Sequence, residues 1–133
     1  MGLIEEILVR PKLRQKLWAW WYPFFTRRVR EQGIDFLNYA FQEDAAARLT
    51  LSPGDEPNRP NIQLYEHVRG GVDLRGVRVL EVSCGHGGGA SYFTRTYQPV
   101  EYIGLDLNPE AIRHCQSRHQ ATGLRFQVGD LAD

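Results

Sequence analysis

The chain has 133 residues, with 16 Lys and Arg balanced by 16 Asp and Glu, and a pI near 6.9. That length fits one domain, and a net charge of zero gives no bulk attraction to nucleic acid or to an anionic membrane. With 42% hydrophobic residues the chain can bury one real core, and no apolar run approaches the roughly 18 residues that cross a bilayer.

The first half reads as helical. Leu3, Ile4, Ile7 and Leu8 recur at helical spacing before Pro11; further patterns cover residues 12–22 and 24–32, with Gly33 as a stop. Ile34, Phe36, Leu37, Ala40 and Phe41 suggest another short helix. The stretch LSPGDEPNRPN, residues 51–61, reads as an irregular connection, and residues 62–68 as a helix that Gly70 and Gly71 end. From Val72 the period changes. VRVLEV (77–82), EYIGLDL (101–107) and LRFQV (124–128) are predicted strands. Between them lie two helix-length stretches. One, residues 88–97, opens on a glycine loop; the other has Asn108 as N-cap, Pro109 at its first position, Glu110 in its first turn and Gly123 beyond its end. Strand–helix–strand–helix–strand with short connections predicts an α/β, Rossmann-like arrangement of three parallel strands in the order 3-2-1. Residues 1–71 are then a helical lid or substrate-entrance segment, and 72–133 half of a ligand-binding domain.

In such sheets ligands bind beyond the carboxyl ends of the strands. Glu81, the Gly85–Gly89 loop, Asp106, Asn108 and Gly129-Asp130 all fall there. Asp106 closes the second strand, where a carboxylate can accept hydrogen bonds from two ribose hydroxyls; Asp130 is placed for the exocyclic amine of adenine. Gly85, Gly87 and Ala90 also satisfy G-x-G-x-x-[G/A], so an NAD(P)-dependent oxidoreductase fragment is a rival reading. Glu81 argues against it, because a pyrophosphate on the loop would sit near an uncompensated carboxylate and be repelled by several kcal/mol. S-adenosylmethionine brings an ammonium and a sulfonium to that place instead.

These segments resemble class I S-adenosylmethionine-dependent methyltransferases. VLEVSCGHGGG is similar to their first motif, YIGLDLNPEAI to the second and VGDLAD to the third. The resemblance implies that Glu81, Ser83, Gly85, His86 and Gly87 lie along the methionine moiety. It also implies that Asp106 holds the ribose with Asn108 beside it, that Leu107 packs on adenine, and that Asp130 and Leu131 meet its amine and edge. Ser83 stands where many members carry their first glycine. WYPFFTR, DFLNYAFQED, DEPNRPNIQLY, LEVSCGHGGGASYFTRT and GLDLN together resemble, more narrowly, the mycobacterial phthiotriol/phenolphthiotriol dimycocerosates methyltransferases. That implies O-methylation of a hydroxyl on a lipid or polyketide, with a hydrophobic small-molecule acceptor. Against the usual seven strands, three imply a truncated half with weak cofactor binding and little turnover, or a non-catalytic remnant that associates through its open sheet edge.

Arg10, Lys12, Arg14, Lys16, Arg27, Arg28 and Arg30 surround WAWWYPFF (18–25), with no acid between Leu8 and Val29. An amphipathic lid explains this pattern; so does an entrance for a lipid, with residues 10–30 peripheral to the inner face of a membrane. Nucleic-acid binding is not expected, since no recognised module is present. Tyr39 reads as core rather than as a residue stacking on the sulfonium. His86 is the candidate for catalysis against a structural role; His67, His114 and His119 read as packing or surface residues. The general base is not identified. Cys84 and Cys115 lack metal-type spacing, so they read as reduced thiols with no metal site. Residues 1–10 lack a signal-peptide pattern, and the expected location is cytoplasmic.

Overall fold

The structure, a computed structural model, describes residues 33–42 and 49–131 together with positions 16, 17, 20, 21, 24 and 28. Those isolated positions are helical, and Leu17, Trp20, Trp21 and Phe24 stand exposed at one-face helical spacing. Of the predicted lid, residues 1–15, 18, 19, 22, 23, 25–27, 29–32 and 43–48 lie outside the described residues.

Three strands form one parallel sheet in the predicted order: β1 (Arg78–Val82), β2 (Glu101–Asp106) and β3 (Leu124–Val128), with β2 central. Leu80 pairs with Ile103 across the first ladder, and Gly104 with Phe126 across the second. The helices α1 (Arg59–Arg69), α2 (Gly88–Tyr97) and α3 (Pro109–Arg118) accompany them. Period-two alternation sorts the sheet's two faces. Tyr102, Gly104 and Asp106 are buried with Phe126 on the face where Phe93 of α2 and Cys115 of α3 pack. On the other face Leu80 and Val82 of β1 remain 54% and 42% exposed.

Local chemistry explains the helix limits. Asn108 accepts a hydrogen bond from the Glu110 amide at 3.0 Å and caps α3, with Pro109 preset for its first turn. Gly70, left-handed at φ 60°, ends α1. That helix starts at Arg59, three residues before its predicted start, because Pro60 fits a first helical turn and so opens the helix instead of preceding it. Ahead of it, Glu56–Asn58 makes one 3-10 turn inside the predicted irregular connection.

The predicted short helix over 34–41 is absent. Asn38 turns its side-chain oxygen onto the Ala40 amide at 3.1 Å, and Ala40 takes a left-handed φ of 63°. This local Asx turn competes with helix and wins. Phe36 and Leu37 then serve long-range contacts in an extended segment. Tyr39 is fully exposed, so the core role expected for it does not hold; the turn at Asn38 points it outward.

Candidate functional site

β1 runs directly into the glycine loop, and the loop alternates its backbone hand: Ser83, Gly85 and Gly87 have φ of 59°, 55° and 76°. Left-handed backbone is free for glycine but costs about 1 kcal/mol or more at Ser83. The curvature is stapled from β2. Asp106 is buried at that strand's end and accepts the Gly85 amide on one oxygen and the Asn108 amide on the other, both at 2.9 Å. Cys84 donates its amide to Leu105 at 3.0 Å, and the Cys115 thiol donates to the Gly85 carbonyl at 3.2 Å. Both cysteines are buried and free, as expected. Glycine is required at Gly87 for space as well, since a Cβ there would meet the Phe126 ring at 2.7 Å.

Glu81 projects onto the same face as Asp106. Tyr65 of α1 donates its hydroxyl to one Glu81 oxygen at 2.6 Å, and Tyr102 of β2 donates to the other at 2.9 Å. Burial raises the Glu81 carboxyl above its ordinary value, the two tyrosine bonds oppose that shift, and the Asp106 charge adds to it. Both phenols are pushed above the usual tyrosine range, by burial first and by the Glu81 charge second. They therefore stay protonated donors. No Lys or Arg among the described residues compensates either carboxylate.

Past these acids the strand ends carry exposed apolar side chains. Leu107 and Leu131 are each 65% exposed, next to buried Asp106 and exposed Asp130 respectively. Ten candidate residues are thus brought to one end of the sheet: Glu81, Ser83, Gly85, His86, Gly87, Asp106, Leu107, Asn108, Asp130 and Leu131. His86 differs from the others in its ring, which is 1% exposed, bonds through Nδ1 to the Ile34 carbonyl at 2.7 Å and stacks on His114. That enclosure gives it a packing place. His67 stacks on Phe41, and His119 hydrogen-bonds the His86 carbonyl at 2.8 Å; packing roles fit them as well.

Sequence reasoning missed Tyr65, Tyr102 and the 34–37 segment. Tyr102 was accessible from alternation alone, because it shares a face with Gly104 and Asp106 two and four residues on. Tyr65 carried no local signal; its meeting with Glu81 is set by the docking of α1.

Residues 79–133 match the family described as "Methyltransferase domain". The chain is 51% identical over 116 residues to the phthiotriol/phenolphthiotriol dimycocerosates methyltransferase of Mycobacterium leprae, covering 87% of this chain and 43% of that protein. It is 49% identical over 112 residues to the fatty-acid O-methyltransferase of Mycolicibacterium smegmatis, covering 84% and 41%. The chain thus spans less than half the length of these relatives. A solved structure from Galdieria sulphuraria, described as a candidate sarcosine dimethylglycine methyltransferase, superimposes with a TM-score of 0.61 at 13% identity, covering 84% of this chain and 43% of that one. The last comparison shows a shared fold, which is the Rossmann-like arrangement predicted from the strands.

Proposed function

We propose, on the premise that this chain carries a methyltransferase-family segment, that its glycine loop binds S-adenosylmethionine for O-methylation of a hydrophobic acceptor. One observation carries the reading: two carboxylates, Glu81 and Asp106, flank the loop with no basic partner among the described residues and repel each other. A dinucleotide would add phosphate to this negative end of the sheet. A methionine arm with its ammonium and sulfonium relieves the repulsion instead. Asp106 keeps unused lone pairs on both oxygens for ribose hydroxyls. Leu107 and Leu131 supply flat apolar surface for the adenine, with Asp130 for its amine and Asn108 beside the ribose.

When bound, the cofactor supplies an electrophilic methyl group. With Glu81 near the methionine arm and Asp106 at the ribose, that group would be presented to an acceptor hydroxyl. The chain's contribution is to fix the methionine arm and to keep the loop's curvature, which is positioning more than bond chemistry. The acceptor class rests on the relatives named for lipid substrates. The exposed Leu17, Trp20, Trp21 and Phe24 stripe suits the entrance of such an acceptor and peripheral contact with a membrane surface.

Calorimetric titration of the chain with S-adenosylmethionine, and separately with NAD, tests the cofactor. Heat with the first and none with the second is the expected result; binding of NAD alone, or of neither, sinks the reading. A non-enzymatic reading draws on the edge of β1, unpaired among the described residues, and on exposed Leu80 and Val82, through which copies of the chain would associate. Light scattering on the purified chain separates the two.

Glu81→Gln sharpens the electrostatic claim. Folding raises the Glu81 carboxyl, so the native state holds its proton more tightly than the unfolded chain does. The contribution of Glu81 to stability therefore falls as pH rises above 4.5, its ordinary value, toward the raised one. A neutral isostere loses no charge that the fold favours. The expected outcome at neutral pH is an unchanged or slightly higher melting temperature, together with S-adenosylmethionine affinity reduced about tenfold or more. An unchanged affinity would remove the carboxylate from the argument.

A further inference from the structure

The extended segment from Ile34 to Leu37 lies across the glycine loop as a strap. Its Ile34 carbonyl takes the His86 Nδ1 bond at 2.7 Å, and its Asp35 carbonyl accepts the Gly88 amide, the start of α2, at 3.0 Å. Leu37 sits where a Cβ on Gly85 would be 3.1 Å from its methyl, and the Phe36 ring fills the corresponding space over Gly88. Behind this seat the Asp35 carboxylate faces α3. Arg118 spans it with two contacts at 3.2 Å, and the Nε2 atoms of His114 and His119 stand 3.7 and 3.9 Å from it.

The charges around this seat balance only while the imidazoles are neutral. From the strap comes one carboxylate, Asp35; from the loop, His86 and the Cys84 thiol; from α3, His114, Cys115, Arg118 and His119; from α2, the more distant Arg95. β3 contributes only the Phe126 ring against His119. Arg118 already satisfies the single anion. His86 must donate from Nδ1 to the Ile34 carbonyl, so in the neutral ring Nε2 is a bare acceptor. That atom and the His114 Nε2 are both buried without a hydrogen-bond partner. A proton added here becomes surplus positive charge in an enclosed space.

We infer that the 34–37 strap is a proton-sensitive clamp on the glycine loop, with His86 as the positioning residue that fastens it and His114 and His119 as the groups whose protonation loosens it. The clamp makes the loop's shape depend on residues far upstream, and its link to cofactor binding rests on the reading proposed above. The sign follows from the imidazoles. Burial holds both His114 and His119 below their ordinary value of 6.5, with the neighbouring His86 adding to the shift at His114 and Asp35 opposing it. The seated strap therefore disfavours protons. Its seat is at full strength above pH 6.5 and weakens as the pH falls below that value.

The test needs no cofactor. Hydrogen exchange of the Gly88 amide reports the strap directly, with β2 amides as the reference for global unfolding. In the unmodified chain its protection, corrected for intrinsic rates, should drop about tenfold or more between pH 7.5 and 5.5 while β2 stays protected. In the His114→Gln, His119→Gln double variant the drop should vanish; glutamine at 119 keeps a donor for the His86 carbonyl. His86→Asn, which retains a donor near the Nδ1 position, should protect Gly88 as the parent does, and His86→Leu should not. Should any variant fail to fold, the imidazole nitrogen spectrum of the unmodified chain decides, since the clamp requires an Nδ1–H tautomer at His86. Equal protection at both pH values, a drop that persists in the double variant, a protected His86→Leu chain or an Nε2–H tautomer each overturns the inference. Strap behaviour as described in a chain that does not bind S-adenosylmethionine would leave the clamp standing and refute the cofactor reading alone.

Discussion

Replacing Gly89 by alanine should lower stability by about 3–5 kcal/mol, enough to unfold much of a marginally stable domain. A Cβ at this position would lie 1.9 Å from the Tyr65 ring and 2.5 Å from its hydroxyl, far inside contact distance. The ring has nowhere to retreat. It is held edge-on by Phe36 at 6.0 Å and Phe93 at 5.5 Å, and its hydroxyl is bonded to Glu81. Moving it forfeits that bond and leaves a buried carboxylate with one donor, which costs about 1–3 kcal/mol beyond the overpacking. The better helix propensity of alanine returns at most about 1 kcal/mol, so the clash decides the sign. Urea denaturation measures the loss. Gly54→Ala is the control: nothing lies within 4 Å of its Cβ, and a change beyond about 0.5 kcal/mol there would be unexpected. In a double-mutant cycle with Tyr65→Ala the two costs should fall well short of adding, because removing the ring removes the clash. Full additivity would show that the helix start, and not Tyr65, is what the methyl group disturbs.

The second large effect is expected at Asp106. Its two oxygens hold the Gly85 and Asn108 amides, so Asp106→Ala leaves two buried N–H groups without acceptors. At about 1–3 kcal/mol each, the loss is comparable with the Gly89 clash. It reaches two elements at once: the left-handed turn at Gly85 and the cap of α3 lose a common support. Asp106→Asn keeps one acceptor oxygen but turns an amide toward the other N–H, and should fall between the parent and Asp106→Ala. Under the proposed function the same side chain accepts two ribose hydroxyls, so either substitution should weaken S-adenosylmethionine binding about a hundredfold or more. The two consequences separate experimentally, by thermal melting without cofactor and by titration at a temperature where the variant is folded. A variant that melts early yet binds as the parent does would confine Asp106 to the loop's architecture.

What could be read in advance follows the range of the forces involved. Asn108, Pro109 and Glu110 act within one helical turn, and that helix begins at Pro109 as they predict. The strands were readable because short runs rich in Val, Ile, Leu, Phe and Tyr, bounded by turn residues, mark strands, and burial of one face makes them alternate. At Asn38 a local rule did operate, but it was the Asx turn and not the apolar spacing of Ile34, Leu37 and Phe41 that decided the backbone. The glycines and acids at the strand ends were legible by position, because topology alone brings strand ends together. Their partners were not. Tyr65 reaches Glu81 from 16 residues away, and His86 meets Ile34 across 52. Such meetings depend on how helices and extended segments settle on the sheet, which no window of sequence records.

The flank of the sheet that no described residue covers has a practical side. Leu80 and Val82 offer an oily strip beside a row of spare main-chain donors and acceptors along β1. A preparation of this 133-residue chain will therefore lose material to clumping as it is concentrated. Lysine at position 80 or 82, on the face opposite Glu81 and Asp106, is the first remedy to try before crystallisation or spectroscopy.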